Sequence, residues 1–406
     1  MKILFATDMY FPTPGGISVV IHRLSHILVK NGHQVAIIAP STSWRFHEEK
    51  EDDITIYRVQ SILVHKFKNI RYAPTFIYQK EMKRIITDFA PDIIHIETFD
   101  AIASLTVTIA KKLNIPIVAT CHIMPANISG ALPLPPKMGI VIGNLYLKVM
   151  SQVFNKVDYV TAPTETGISI LRTIGVKTPM EAISNGLDLK LFHKQKETEA
   201  FRRKYHLPSE KFILYVGRLD KEKCVDIFVA ALQYCEPIPF RAVIAGTGEL
   251  LEDLKEQVKT LHIEDKVTFL GILPEDELPM LYSLASMFVM PSTAELQSLV
   301  TMEAMGTGLP VIGANAGALP FLIKDEENGY LFEPNNPEDL GKKMKSLLEN
   351  SDLREQMGNA SLKIIQQHDL ENIGKRFASL YERLIEQKKN ANAVSSHPLL
   401  TVSDQD

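Results

Sequence analysis

Short apolar runs alternate with longer stretches of helical periodicity along all 406 residues, and this alternation confines the chain to the α/β class. Such runs are long enough for strands buried on both faces and too short for core helices. In the first half they stand at residues 2–7, 34–39, 54–59, 93–96, 117–120 and 159–162. In the second half they stand at 212–216, 241–245, 267–270, 287–290 and 310–313. Helical patterns lie between them, for example at 18–30, 75–89, 248–261 and 337–349. Two series of this kind predict two Rossmann-like, doubly wound domains with parallel sheets. The length is also too great for one ordinary core. The boundary is expected near Asn185-Gly186-Leu187-Asp188, ahead of a charged stretch at 194–204. The expected domains are therefore 1–188 and 189–369. A segment at 370–388, helical over 370–385, is expected to pack back on the first domain. Residues 389–406, poor in apolar pattern, read as a flexible tail. In doubly wound sheets ligands bind beyond the carboxyl ends of the strands, so two facing domains place the natural site in the cleft between them.

Composition narrows the function classes. The net charge is -4 and the pI is near 6.3, which argues against a nucleic-acid binder. Cys121, Cys224 and Cys235 are few, odd in number and lack metal-ligand spacing, so a reduced, cytoplasmic compartment is expected. The first residues, Met1-Lys2-Ile3-Leu4-Phe5-Ala6-Thr7-Asp8, read as a strand stopped by an acid, not as a secretory segment. No apolar stretch is long enough to span a bilayer, so any membrane contact is expected to be peripheral.

The most informative segment runs from Ala294 to Ile312. It places Glu295 and Glu303 eight positions apart, after an apolar strand and at the start of a helix. Amides at a helix start lack internal partners and favour an anion such as a phosphate. A carboxylate there accepts hydrogen bonds from sugar hydroxyls instead. Eight helical residues rise about 12 Å, enough to reach two sugar rings flanking a diphosphate. That is the outline of a nucleotide-sugar. A capping Glu and an exposed Glu further along is the plain structural alternative.

Four stretches together resemble the retaining glycosyltransferases of family 4, over about residues 1–388. Glu295 to Glu303 matches the E-x(7)-E signature. Val216-Gly217-Arg218-Leu219-Asp220-Lys221-Glu222-Lys223 matches the phosphate-gripping loop. Asn185-Gly186-Leu187-Asp188 matches the interdomain motif, and Pro12-Thr13-Pro14-Gly15-Gly16 the glycine-rich loop after the first strand. Each is weak alone; their order and spacing are specific. The resemblance implies the two-domain GT-B fold, with an acceptor domain first and a donor domain second.

By its residue types, the loop with Gly15 and Gly16 lets backbone amides approach a ligand, or is a plain turn. It is not G-x-G-x-x-G, so no nicotinamide cofactor is indicated. Gly217 and Arg218 follow a buried-looking strand, with Lys223 close behind. An Arg grips a diphosphate bidentately and a Lys adds a point charge, and both would stabilise a departing nucleoside diphosphate. Two solvated surface charges are the alternative. Gly246-Thr247-Gly248-Glu249 is either a turn near the nucleotide base or only a tight strand-to-helix connection. By resemblance, Glu303 accepts hydrogen bonds from ribose hydroxyls. Glu295 accepts them from the transferred sugar and stabilises positive charge at the anomeric carbon. The amides of Gln297, Ser298 and Leu299 bind sugar and phosphate oxygens, although Ser298 stands where many relatives have Gly. His122, at the end of a strand, is expected to hydrogen-bond a donor-sugar hydroxyl. The pattern His122-x-Met124-Pro125-x-Asn127 resembles the branch that glycosylates membrane lipids. No Asp-x-Asp follows a strand, and Glu48 to Asp53 reads as a solvated charged loop. No metal and no other cofactor are expected.

On the acceptor side, Lys66, Lys68, Arg71, Lys80, Lys83 and Arg84 interleave with aromatics in an otherwise acidic chain. Such a segment docks on anionic headgroups at about 1 kcal/mol per basic residue. Leu132 to Ile142 is a second apolar, proline-rich stretch suited to a lipid entry. A solvated helix face and a buried loop are the alternatives. The expected activity is metal-independent, configuration-retaining transfer of a hexose from a nucleoside diphosphate sugar, UDP-glucose first, to a membrane lipid such as diacylglycerol. The expected location is cytoplasmic, peripheral on the inner face of the membrane. Transfer to a soluble or polysaccharide-precursor acceptor is one alternative; a noncatalytic nucleotide-sugar-binding protein is another.

Overall fold

The structure, a computed structural model, describes residues 1–13, 15–63, 71–122, 136–196, 198–210 and 212–395. It divides into two compact units. Unit 1 holds the described residues of Met1–His122, Asn144–Ile183 and Ile373–Asp406; unit 2 holds those of Ile123–Gly143 and Ser184–Asn372.

Ten strands belong to unit 1: β1 Lys2–Ala6, β2 Gln34–Pro40, β3 His47–Glu51, β4 Ile54–Val59, β5 Ile62–Leu63, β6 Arg71–Tyr72, β7 Ile93–Ile96, β8 Ile117–Thr120, β9 Tyr159–Ala162 and β10 Met180–Ala182. Eight of them form one sheet, in the order β10-β9-β8-β7-β1-β2-β4-β3. The strands are parallel apart from β3, and β5 and β6 pair separately. From β1 the chain builds outward to β2 and β4, then returns to the other side of β1 with β7. The order therefore reverses between β1 and β7, and a crevice forms beyond their carboxyl ends. Helices Gly16–Lys30, Thr75–Phe89 and Ala101–Lys112 carry the crossovers. Ile3, Leu4, Phe5, Ile37, Ile94 and Val118 are fully buried, as parallel strands covered on both faces require.

Unit 2 is a six-stranded parallel sheet: β11 Ile213–Val216, β12 Ala242–Ala245, β13 Val267–Gly271, β14 Met287–Met290, β15 Val311–Ala314 and β16 Gly329–Phe332. Their order is β13-β12-β11-β14-β15-β16, so the reversal falls between β11 and β14. The loops after these two strands carry Arg218, Lys223 and Glu295.

Three expectations need correction. Glu48 to Asp53 is not a solvated loop. Its first residues lie in β3, antiparallel to β4, with His47 opposite Arg58. The strand escapes an apolar reading because it is a charged sheet edge, a device that discourages further pairing. The last helix runs Leu370–Ser395, well past the end of its apolar pattern, so the segment after residue 388 begins as helix. Its buried stripe, Phe377, Leu380, Tyr381 and Leu384, packs in unit 1, where Tyr381 Oη lies 2.7 Å from His95 Nδ1. Finally, Glu295 lies in the loop before the helix Leu299–Gly306, so the two glutamates are not separated by eight helical residues.

Two glycines lock the loops of unit 2 together. Gly246 has φ +141, and a Cβ there would fall 1.8 Å from the Gly217 carbonyl oxygen. A Cβ on Gly248 would meet the Leu219 backbone at 2.5 Å. Backbone bonds fasten the same contact, Leu219 N to Thr247 O at 3.0 Å and Leu250 N to Leu219 O at 2.9 Å. The turn after β12 thus braces the loop that carries Arg218. Gly32, at φ +85, has open space around it. Gly246→Ala is expected to lower unfolding free energy by roughly 2 kcal/mol or more, and Gly32→Ala by only about 1 kcal/mol. Urea titration of the two variants measures the difference.

Candidate functional site

In unit 2 the switch point between β11 and β14 gathers the residues of three sequence motifs. β11 ends at Val216 and is followed by Gly217, whose φ of +151 turns the chain out of the sheet. A short 3-10 turn, Lys221–Lys223, then presents Lys223. Its Nζ sits 2.7 Å from Glu295 Oε1, and both side chains are largely buried. The two residues are 72 positions apart and meet because β11 and β14 are neighbours. Ser292 Oγ donates to the Glu222 carbonyl at 3.1 Å and ties the two loops together. Arg218 stands outside this pair. Its side chain is 58% exposed, and its guanidinium binds Asp220 and Glu222 of its own loop. An incoming diphosphate would compete with those two carboxylates for it.

Glu295 is also held through its backbone, by a residue the sequence reading passed over. Ala318 N donates to the Glu295 carbonyl at 2.8 Å, and a Cβ at Gly317, φ +56, would lie 2.7 Å from the same oxygen. The signal available was a glycine after an apolar strand, in Asn315-Ala316-Gly317-Ala318. Glu303, in the helix Leu299–Gly306, is buried and accepts a hydrogen bond from Tyr282 Oη at 3.0 Å. Ser298 is the N-cap of that helix: its Oγ accepts from Thr301 N at 3.4 Å and from Thr301 Oγ1 at 2.8 Å. Capping gives the serine a local reason to stand where relatives have Gly. The Gln297 side chain accepts from Asn185 N at 2.8 Å and donates to Ser184 Oγ at 3.0 Å. Its side chain is thus engaged by the Asn185-Gly186-Leu187-Asp188 motif, which leaves its backbone amide as the group for a ligand. Leu299 opens the helix. Packing on the Gly217 backbone requires glycine at position 246, as the tight strand-to-helix connection among its two expected readings would.

Unit 1 has its own crevice, between β1 and β7. His122, just past β8, places Nε2 2.7 Å from Glu97 Oε2, and both side chains are buried. Glu97 follows β7 and was not among the expected site residues, although an acid directly after an apolar run was legible. Burial opposes its charge, but neighbouring His95 and His122 hold it below the ordinary carboxylate range. His95 is itself held below the usual histidine range by burial. Asp8 caps the helix Ala101–Lys112 from a distance, accepting from Ile102 N at 2.8 Å, Ala103 N at 3.3 Å and Thr98 Oγ1 at 2.8 Å. Burial still keeps its carboxyl above the usual range. Burial and the Asp8 charge push Asp100 up to about 7, against a hydrogen bond from Tyr146 Oη at 3.2 Å. Gly15 is the N-cap of the helix that Gly16 begins. Among the described residues a Cβ on Gly15 would make only an ordinary contact, 3.8 Å to Met9. Among the described residues, nothing packed against it demands glycine there.

The basic acceptor segment is thinner than its sequence suggests. Lys66 and Lys68 lie outside the described residues. Arg71 turns inward, its Nε donating to Ser61 Oγ at 2.7 Å. Arg84 pairs with Glu81 and Asp88 on its own helix. Lys80 and Lys83 are exposed. Much of the Leu132 to Ile142 stretch is likewise outside the described residues, but the helix Pro136–Phe154 that ends it is informative. Val141, Leu145 and Val149 follow one another at helical spacing and are 67%, 60% and 41% exposed, with Ile142 beside them. Among the described residues, no helix is long and apolar enough to cross a membrane.

Two parallel-sheet units, each with a polar cluster at its switch point, define a GT-B glycosyltransferase. The chain belongs to the family 4 glycosyltransferases: residues 14–191 match the family model "Glycosyltransferase Family 4", and residues 197–364 match "Glycosyl transferases group 1". It is 30% identical over 390 residues to alpha-monoglucosyldiacylglycerol synthase of Streptococcus pneumoniae, covering 94% of this chain and 85% of that one. It is 24% identical to N-acetyl-alpha-D-glucosaminyl L-malate synthase of Bacillus anthracis, over 96% of this chain and 99% of the other. Among solved structures, an Anabaena protein in complex with UDP-glucose superposes with a TM-score of 0.75 at 19% identity, covering 94% of this chain and all of that one (100%).

Two outcomes are expected. Lys223→Ala and Arg218→Ala should each reduce kcat/KM for transfer by roughly 2 to 4 kcal/mol of barrier in folded protein, as steady-state kinetics will measure. For Asp100, a raised carboxyl pKa means that the folded state holds its proton more tightly than the unfolded chain. This contribution to stability is full below the unfolded pKa and is lost as pH rises towards about 7. Asp100→Asn should therefore lose less stability than the parent between pH 5 and pH 8 in urea titrations.

Proposed function

We propose that this glycosyltransferase moves glucose, with retention of configuration, from UDP-glucose to the hydroxyl of a membrane lipid such as diacylglycerol. Unit 2 binds the donor. Lys223 and Arg218 hold the diphosphate, and the amides of Gln297, Ser298 and Leu299 add hydrogen bonds at the helix start. Glu303 receives the ribose hydroxyls, and Glu295 the hydroxyls of the sugar. As the bond to the sugar breaks, negative charge grows on the phosphate oxygen and positive charge on the anomeric carbon. A lysine and a carboxylate already in contact answer both charges without reorganisation. The leaving oxygen takes the acceptor proton on the same face of the sugar. In unit 1 Glu97 fixes one nitrogen of His122, so the ring meets a sugar hydroxyl through Nδ1. The space at Gly15 is left to ligand. No metal is required, because the cations and helix amides supply the positive field.

The observation that carries the lipid acceptor is the exposed stripe of Val141, Leu145 and Val149. Three apolar side chains at i, i+4 and i+8 facing water are stabilised by lying in an interface. Phe76, 82% exposed beside Lys80 and Lys83, extends the same chemistry. The pneumococcal relative is a synthase of a glucosylated diacylglycerol by its name. The name of the Bacillus anthracis relative gives malate instead, and a soluble acceptor is the alternative.

Cosedimentation with vesicles, coupled to a transfer assay on embedded diacylglycerol, tests this reading. Wild type should bind anionic vesicles and form a glucosylated lipid, before and after treatment with EDTA. Replacing Val141, Leu145 and Val149 with Ser should abolish binding while UDP affinity stays within about twofold. A wild-type protein that stays in the supernatant at every lipid composition, yet glucosylates a soluble acceptor, would overturn the lipid assignment. Loss of transfer with EDTA, restored by magnesium, would overturn metal independence.

A further inference from the structure

A second cluster of ligating side chains lies in unit 1, made of residues to which the proposed transfer reaction gives no role. His22 and His26 are four residues apart on the helix Gly16–Lys30, so they share one face of it. Their rings lie 4.1 Å apart between centroids. Glu51, the last residue of β3, comes up against that face, with Oε1 3.3 Å from His22 Nδ1. Asp52, next in the chain, places Oδ2 3.5 Å from His26 Nε2. One ligand atom each from His22, His26 and Glu51 all fall within 4.8 Å of one another.

We propose that His22, His26 and Glu51 form a binding site for a divalent cation of the zinc class, with Asp52 or water as the fourth ligand. Two imidazoles and a carboxylate are a donor set that zinc takes, and bonds of about 2.0 to 2.2 Å need only small side-chain rotations to close on one ion. The surrounding bonds already serve this arrangement. His26 Nδ1 lies 2.8 Å from the His22 carbonyl oxygen. Donation there puts the proton on Nδ1 and leaves the Nε2 lone pair for an ion, as the outer shell of a metal site does. Tyr10 Oη donates to Glu51 Oε2 at 3.4 Å, which fixes the carboxylate from behind while Oε1 faces the histidines. The Phe11 ring meets the His22 ring edge-on at 5.5 Å. Two neutral imidazoles and one carboxylate leave a dication only partly neutralised, and Asp52, where it is the fourth ligand, supplies the remaining charge.

The place of the cluster states what an ion would do. The helix Gly16–Lys30 begins at the glycine-rich loop after β1, and Glu51 closes the edge hairpin of β3 and β4. An ion bridging them pins the helix to the sheet edge. It is a staple, not a participant in transfer, so removing it should lower stability and leave the reaction running.

The test uses the full chain, stripped with EDTA and exchanged into chelator-free buffer. Zinc is titrated by calorimetry, and cobalt by its visible absorption, which is intense only at low coordination number. Wild type is expected to bind one equivalent at micromolar or lower concentration, with a rise of a few degrees in melting temperature. His26→Gln and Glu51→Gln should each weaken that equivalent by roughly 100-fold or more, with unchanged far-ultraviolet circular dichroism. His206→Gln, a histidine elsewhere in the chain, should leave it intact. Absence of a tight equivalent in folded wild type overturns the proposal. So does a tight equivalent that survives the double substitution of His22 and His26.

Discussion

The contact between Lys223 and Glu295 is the constraint on which the rest of unit 2 depends. An ammonium and a carboxylate taken out of water lose hydration that their mutual attraction only partly returns. Such a pair adds little net stability, so the fold must hold both partners in place by other means. It does so through three contacts. Gly217 and Gly246 press two loop backbones together, Ser292 ties the loop after β14 to Glu222, and Ala318 holds the Glu295 carbonyl. Arg218, outside this brace, is left exposed and pairs with Asp220 and Glu222 of its own loop. In the proposed reaction the braced pair answers charge at the breaking bond, while the exposed arginine captures the diphosphate as it arrives.

Unit 1 repeats the logic with different chemistry. Its sheet also reverses order beside its first strand, and acids again follow the two strands that flank the reversal. Here no lysine enters. Glu97 meets His122 through one carboxylate oxygen, and Asp8 meets the amides of a helix start. Burial first, and then the charge of nearby Asp8, push the Asp100 carboxyl up to about 7. In the proposed function, one unit supplies the cations that meet the diphosphate, and the other a cluster of acids and a histidine that meets hydroxyls.

Much of this was legible in the residues, and the limits have physical reasons. Strands buried on both faces are read directly from apolar runs, so β7, β8, β9 and β14 fall where their patterns place them. β3 was missed because an edge strand made of His47-Glu48-Glu49-Lys50-Glu51 carries no such run. Lys223 and Glu295 were found by motif, but their contact was not. It depends on β11 lying next to β14, and neighbour order in a sheet is a long-range property. Gly246 was left between a turn near the nucleotide and a tight connection, and what the sequence could not show is the Gly217 backbone that requires a glycine there. Arg71 and Arg84 looked like free charges because composition does not reveal Ser61, Glu81 or Asp88 as partners. The stripe of Val141, Leu145 and Val149 was not read from the sequence, where only the apolar stretch Leu132 to Ile142 stood out, because the sequence does not say which face of a helix meets water.

The central claim is that Lys223 and Glu295 act on the transition state as one unit. A double-mutant cycle on kcat/KM tests it most directly, with Lys223→Ala, Glu295→Gln and the two combined, each checked for folding. If the pair works as a unit, the double variant is little worse than the worse single one, and the coupling exceeds about 1 kcal/mol. Effects that add within about 0.5 kcal/mol, or single variants that retain near-normal transfer, would contradict the account.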